Sequence, residues 1–283
     1  MRIQEILQET TIDEGVNDQN IFKAVWMIGP MGAGKSTIAR QLFGGTGLRS
    51  LNLDNFNELM IQKGQVPGGN LSPDQLEKSW QLTNKQKNNF VDGRLGLLID
   101  GSGRNFATVG DAMEELIPLG YDMAMVFVNV TEETSIARQQ SRATAQAAQY
   151  GVGRQVPVDL ARSTYQQIQK QLPAYRLVFN TNFYYVDNNS TPDLANIKSG
   201  IDKFLRMPPH QKPALDWIAA RDQGLAQKNQ TLANRQMASQ QRGAKLANRT
   251  FATPSGYSPR NPGPPSTMSP AQTAATPAPT AQT

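Results

Sequence analysis

Residues 35–37 are a lysine and two hydroxyl side chains, and glycines stand just ahead of them at 29, 32 and 34. Gly29, Gly34, Lys35 and Ser36 meet the spacing G-x-x-x-x-G-K-[ST] within GPMGAGKST. The chemistry such a stretch can do is polyphosphate binding. A loop without Cβ atoms lets backbone N–H groups approach phosphate oxygens, and the dipole of a following helix adds to them. The spacing marks Gly29, Gly32, Gly34, Lys35, Ser36 and Thr37 as a nucleotide-binding set, with Lys35 reaching the β- and γ-phosphates and Ser36 holding Mg²⁺. A glycine turn that binds nothing would also fit the spacing. The placement favours the ligand: the apolar run FKAVWMIG (22–29) precedes the loop and the helical pattern STIARQLFG follows it.

This loop does not by itself choose between a kinase, a GTPase and a motor ATPase. Asp54 is expected to end a second strand, SLNLD (50–54), where a carboxylate could accept the proton of an attacking hydroxyl. The same residue would also serve as a helix-capping Asp before NFNELM. Asp100 ends a third apolar run, LGLLID (95–100), and suits a carboxylate acting on Mg²⁺. Ser102 and Arg104 follow on the loop GSGR. A kinase also needs cations that close over the transferring phosphoryl group. Arg138 and Arg142 are four apart on one helical pattern and share a face. Arg154 sits in the glycine-marked GVGRQVP. Arg142 and Arg154 are the favoured lid arginines. An N-K-x-D tetrapeptide, which a guanine-specific GTPase would need, does not occur.

The elements that must position these residues alternate. Strand patterns at 22–29, 50–54, 95–100, 122–130 and 183–188 are separated by helical ones, among them a helix opened by Ser72, Pro73 and Gln75 and another capped by Thr131. Such alternation predicts an α/β fold, a three-layer P-loop NTPase with about five parallel strands. From residue 207 the pattern changes. Positions 218, 225, 232, 239 and 246 recur every seven residues, apolar except at Ser239, beside a basic row of Arg221, Lys228, Arg235, Arg242 and Arg249. This predicts one long helix with an apolar and a basic stripe. The organisation expected is therefore an N-terminal helix and linker (1–20), a P-loop domain (21–206), a basic heptad helix (207–249) and a disordered tail rich in Pro, Ala and Thr (250–283).

Composition narrows the rest. There is no Cys and a single His, His210, so disulfides, thiolate metal sites and a His-dependent triad are excluded. The net charge of +5 belongs to the tail: residues 207–283 hold eight Lys and Arg against two Asp and Glu. The body is thus not marked as a nucleic-acid binder, whereas residues 213–249 have the charge for a nucleic-acid or protein partner. No apolar run approaches the ~20 residues of a membrane span. The N-terminus, where Ile3, Ile6 and Leu7 suit a short amphipathic helix, lacks the apolar core of a secretory signal. A cytoplasmic place is expected, that of a host cell if the gene is a phage's.

Over about residues 20–190 the chain resembles the zeta-toxin family of P-loop kinases, on GPMGAGKST, LNLD, LLIDGSGR, LIPLGYDMAMVFVNVTEETSIARQQSR and GRQVP. The resemblance implies a nucleoside-monophosphate-kinase-like fold and phosphorylation of a hydroxyl on an activated sugar such as UDP-N-acetylglucosamine. It implies that Lys35 and Ser36 serve ATP and Asp54 is the catalytic base. Asp100, Ser102 and Arg104 match a Glu-Gly-Thr-x-Arg acceptor motif, and Arg142 and Arg154 match the lid arginines. Asp100 and Ser102 are each one carbon shorter than the family's Glu and Thr, so the acceptor geometry differs. The motifs shade into phage and bacterial kinases of nucleotides or polynucleotide ends.

The expectation is an ATP- and Mg²⁺-dependent kinase acting on a small hydroxyl acceptor: a sugar nucleotide, a nucleotide or a polynucleotide end. The rival is a nucleotide-binding module without useful catalysis, tethered by its basic helix to an assembly or nucleic acid.

Overall fold

The computed structural model of the chain describes residues 18–66 and 71–250. Among them are five strands: β1 (Lys23–Ile28), β2 (Arg49–Leu51), β3 (Leu97–Gly101), β4 (Asp122–Asn129) and β5 (Phe183–Asp187). They form one sheet in the order β2-β3-β1-β4-β5, parallel at every pairing. The central strand β1 is buried at all six positions and is apolar from Ala24 to Ile28, after the buried Lys23.

Helices α1 (Lys35–Phe43), α2 (Leu53–Gln62), α3 (Pro73–Asp92), α4 (Phe106–Leu116), α5 (Glu132–Tyr150), α6 (Val158–Phe179) and α7 (Ala195–Arg206) connect or follow the strands. Successive strand side chains point to opposite faces. Trp26, Ile28, Met125 and Phe127 therefore join one core with α4 and α6, through Val109, Leu116, Ile168 and Tyr175. Val25, Met27, Val126 and Val128 join the other with α1 and α7, through Ile38, Leu42, Ile201 and Phe204. The result is the three-layer α/β fold expected from the alternation. The capping box also forms: Ser72 Oγ accepts the Gln75 N–H at 3.3 Å and Gln75 Oε1 accepts the Ser72 N–H at 2.9 Å. Thr131 caps α5 through the Thr134 N–H.

The expected second strand is shortened. β2 spans only Arg49–Leu51, paired with Leu97–Ile99. The chain then turns into α2 because Asn52 Oδ1 accepts the Asp54 N–H at 2.8 Å and caps the helix. Asp54 is thus a first-turn helical residue rather than the end of a strand. It neither caps the helix nor leaves the sheet edge at which it was expected.

β1 leads through α1 to β2 on one side of the sheet, and β3 leads through α4 to β4 on the other. The crevice where the strand order reverses opens at the carboxyl ends of β1 and β3. At the opposite end of the strands, Lys23 Nζ meets Asp122 Oδ2 at 2.6 Å, buried, beneath the Phe204 ring.

The last described helix, α8 (Lys212–Thr250), begins against the body. Ala214 is fully buried and the Trp217 ring meets Phe22 edge-on with centroids 5.6 Å apart. The body is one compact unit reaching Gln227, and a second unit begins at Lys228. Within that second unit Lys228, Arg235 and Arg242 are exposed. The expected helix over the first residues and the expected disordered tail beyond 250 lie outside the described residues. No described helix is long and apolar enough to cross a membrane.

Candidate active site

The loop of residues 29–34 leaves β1 and enters α1. Gly29 and Gly32 are required by both conformation and space. Their φ angles are +152° and +77°, and a Cβ would lie 2.1 Å from Val128 O at Gly29 and 2.6 Å from Ser135 O at Gly32. These two glycines let the loop nest against β4 and α5. Its carbonyls are taken up by surrounding donors. Met31 O accepts Ser135 Oγ at 2.7 Å, Ala33 O accepts Asn188 Nδ2 at 2.7 Å, and Gly29 O and Pro30 O accept Lys35 Nζ at 3.1 and 3.4 Å. The start of α1 contributes N–H groups that have no partner within the helix. Ser36 and Thr37 on that first turn are exposed. Loop amides, an ammonium and two hydroxyls thus lie together at the start of α1.

Asp100 lies opposite Met27 in the β1–β3 register, one residue before β3 ends. Its Oδ2 accepts Asn52 Nδ2 at 2.9 Å. Burial is the main influence on this carboxyl and raises its pKa; the Lys35 ammonium opposes that, the Asp54 charge reinforces it, and the Gly101 N–H opposes it. Lys35 and Asp54 both lie close enough to act on Asp100. Asp54 Oδ1 accepts Arg154 Nη1 at 2.9 Å. Arg142, on α5, is ion-paired with Glu58 on α2. Both favoured lid arginines reach back to α2 and so bracket the Asp54 side of the crevice. Ser102 Oγ accepts the Arg104 N–H at 3.4 Å, while Arg104 itself is exposed. Between them Gly103 O accepts the hydroxyl of buried Tyr175 at 2.8 Å, which fixes this loop to α6.

Three residues that sequence reasoning did not assign to the site belong to its frame. Arg138, set aside in favour of Arg142, donates through Nη2 to Asn188 O at 3.0 Å. Asn188, just after β5, bonds the phosphate loop. Asn52 joins Asp54 to Asp100. The asparagines after the last strand (VDNN) and the Asn of LNLD were the available signals. Arg138 and Asn188 also line a cleft of 750 Å³ beside α1, together with Thr37, Gln41, Pro192 and Lys198. Its size suits a nucleobase and ribose. Ser36 and Asp100 are oxygen donors of the kind Mg²⁺ takes. No cluster of three or more His, Cys, Asp or Glu side chains placed to hold a metal exists among the described residues.

A family profile described as Zeta toxin matches residues 9–198. No curated protein matches the chain in sequence. Similar solved structures include the Pnkp1/Rnl/Hen1 RNA repair complex, at 19% identity and TM-score 0.43, over 54% of this chain and 45% of that one. The AvrRxo1-ORF1:-ORF2 complex with ATP is similar at 12% identity and TM-score 0.45, over 74% and 75%. Deoxyadenosine kinase from M. mycoides with bound dATP is similar at 13% and 0.37, over 65% and 100%. The chain spans less than half the length of the first of these.

Proposed function

From the premise that the chain belongs to the Zeta toxin family, we propose that it is an ATP-dependent kinase that phosphorylates a hydroxyl group. The observation that carries this reading is the grouping of Lys35, Asp54 and Asp100 at the mouth of the phosphate loop, with Arg154 on Asp54.

ATP lays its triphosphate in the loop of residues 29–34, with its base and ribose in the cleft lined by Arg138 and Asn188. Gly29, Gly32 and Gly34 leave room for it, and Thr37 flanks the α-phosphate side. Lys35 leaves the Gly29 and Pro30 carbonyls and neutralises charge on the β- and γ-phosphates. Ser36 and Asp100 would hold Mg²⁺, which when bound supplies charge neutralisation to the same phosphates. Ser102 and Arg104 orient the acceptor so that its hydroxyl faces Asp54. The hydroxyl oxygen forms a bond to the γ-phosphorus as the bond to the β–γ bridging oxygen breaks. ADP departs, and the hydroxyl proton passes to Asp54. Arg142 and Arg154 exchange their α2 carboxylates for the transferring phosphoryl group and keep water out.

The acceptor is drawn from sugar nucleotides, nucleotides and polynucleotide ends. The test is γ-labelled ATP with a panel of sugar nucleotides, nucleosides, nucleotides and 5′-hydroxyl oligonucleotides. Label transferred to one of them by wild-type protein and not by Lys35→Ala supports the reading. ATP binding without transfer to any would overturn it.

A second reading is favoured by α8. Past Asp222 it carries Lys228, Arg235, Arg242 and Arg249 at a heptad pitch of about 10.5 Å, with Lys245 besides and no acid up to residue 250. In this reading the chain is a nucleotide-binding module held to nucleic acid or to an acidic protein. Binding of a labelled DNA duplex that weakens with salt and vanishes on deleting 228–283 supports it, and binding indifferent to that deletion refutes it.

A further inference from the structure

Asn52 bonds to two residues that carry carboxylates, to the backbone of Asp54 and to the side chain of Asp100. Its Oδ1 accepts the Asp54 backbone N–H at 2.8 Å, and its Nδ2 donates to Asp100 Oδ2 at 2.9 Å. The amide cannot be turned the other way. A backbone N–H bonds only to the oxygen end, so the NH₂ end faces Asp100 and meets an acceptor there. One short side chain thus ties the first turn of α2, which carries Asp54, to the end of β3, which carries Asp100, 48 residues away in sequence.

Capping alone does not explain an asparagine at this position. Ser and Asp cap a helix about as well as Asn does. Neither could make the second bond. A serine hydroxyl that bonds the Asp54 N–H ends too soon to reach β3. An aspartate would turn an oxygen toward Asp100 and set a third carboxylate beside two that already repel each other. Asn is the residue that caps α2 and donates to the part-buried Asp100 carboxylate at once. The second bond commits one oxygen of Asp100 and so fixes how that carboxylate is rotated in the crevice.

We infer that Asn52 is a positioning residue for phosphoryl transfer: its carboxamide sets the separation and mutual orientation of the Asp54-bearing helix turn and the Asp100 carboxylate. The inference rests on the reading of Asp54 as base and of Asp100 as a group that orders the phosphates or acceptor. Asn52 touches neither substrate. It acts through its two neighbours, as residues behind a reactive group do when they hold it in place.

Two cap-preserving substitutions in the full chain separate positioning from mere capping. Asn52→Ser keeps the cap oxygen and removes the donor. Asn52→Asp keeps cap and shape and replaces the donor with a negative charge. Transfer of the γ-phosphoryl from labelled ATP is followed with the acceptor found in the panel, beside release of labelled phosphate to water, with Lys35→Ala as the blank. Melting temperature is measured in parallel. The expected result is an unchanged KM for ATP in both variants, with a melting temperature nearly unchanged in Asn52→Ser and lowered in Asn52→Asp, whose folded fraction is still the majority at the assay temperature. kcat should fall about 10- to 100-fold in Asn52→Ser, and further in Asn52→Asp. Wild-type kcat in Asn52→Ser overturns the inference. So does a loss of activity that follows a loss of folded protein, or a raised KM with kcat intact. If wild-type protein shows no Lys35-dependent turnover, the kinase reading itself fails and the inference falls with it.

Discussion

Arg154 Nη1 donates to Asp54 Oδ1 across 2.9 Å, joining the loop between α5 and α6 to the first turn of α2 over a separation of 100 residues. Both side chains are well exposed, 39% and 49%, so the pair contributes only about 0–1 kcal/mol to stability. Its consequence is for reactivity. A carboxylate bonded to a guanidinium is not yet turned to an acceptor, whereas a γ-phosphate would compete for the same arginine. Arg154→Ala should leave the melting temperature nearly unchanged and lower phosphoryl transfer about 100-fold, as loss of a cation on developing charge does. Parallel thermal melts and transfer assays check both halves.

Lys35→Ala and Asp54→Asn should fail differently. The first removes the ammonium that now rests on Gly29 and Pro30 carbonyls, and both ATP affinity and transfer should collapse. The second keeps shape and can still accept from Arg154, so ATP binding should persist while kcat falls by at least about 100-fold. Wild-type turnover in Asp54→Asn would remove this residue as the base.

Asp100 gives a stability prediction with a definite sign. Its carboxyl is raised above the ordinary value, chiefly by burial. The folded state therefore binds the proton more tightly than the unfolded state, and stability falls as pH rises through the window above the ordinary carboxylate value. At neutral pH the ionised group is a cost to the fold. Asp100→Asn, whose side-chain oxygen can still accept from Asn52, should raise the melting temperature there. The gain should shrink as pH falls toward the ordinary carboxylate range, while transfer is lost. Thermal melts across pH test this, and an Asn variant less stable at neutral pH would contradict it.

Gly29 should not tolerate alanine. The added Cβ would fall 2.1 Å from the Val128 carbonyl oxygen, at a φ that L-residues rarely adopt. Separation of β1 from β4 at their carboxyl ends would follow, with a loss of about 2–4 kcal/mol in denaturant unfolding.

The Lys23–Asp122 pair is a control remote from the chemistry. Lys23→Met leaves a buried carboxylate without its ammonium and should cost about 3–5 kcal/mol. ATP affinity of the folded fraction should not change, because the pair lies at the other end of the strands. Replacing both partners with apolar residues should be far milder than replacing one.

Local chemistry wrote part of this protein into its sequence. The phosphate loop, the five strand positions, the Ser72 capping box and the Thr131 cap depend on residues within one or two turns of each other, and each was legible from spacing. The carboxyl-edge placement of Asp54 and Asp100 followed from parallel topology, itself implied by the alternation of strand and helix. The shortening of β2 was not legible, because LNLD fits a strand end and a capped helix start equally well until β3 supplies only three partners. Nor was the division of labour among the arginines. Arg138 and Arg142 share a helix face, and only the approach of Asn188 from beyond β5 and of Glu58 from α2 separates them. Asn52 is the sharpest case: its bond to Asp54 is local, but its bond to Asp100 exists only because the sheet sets β2 beside β3. Sequence specifies groups and short-range caps. Which distant groups meet is decided by strand order and packing, which no single segment encodes.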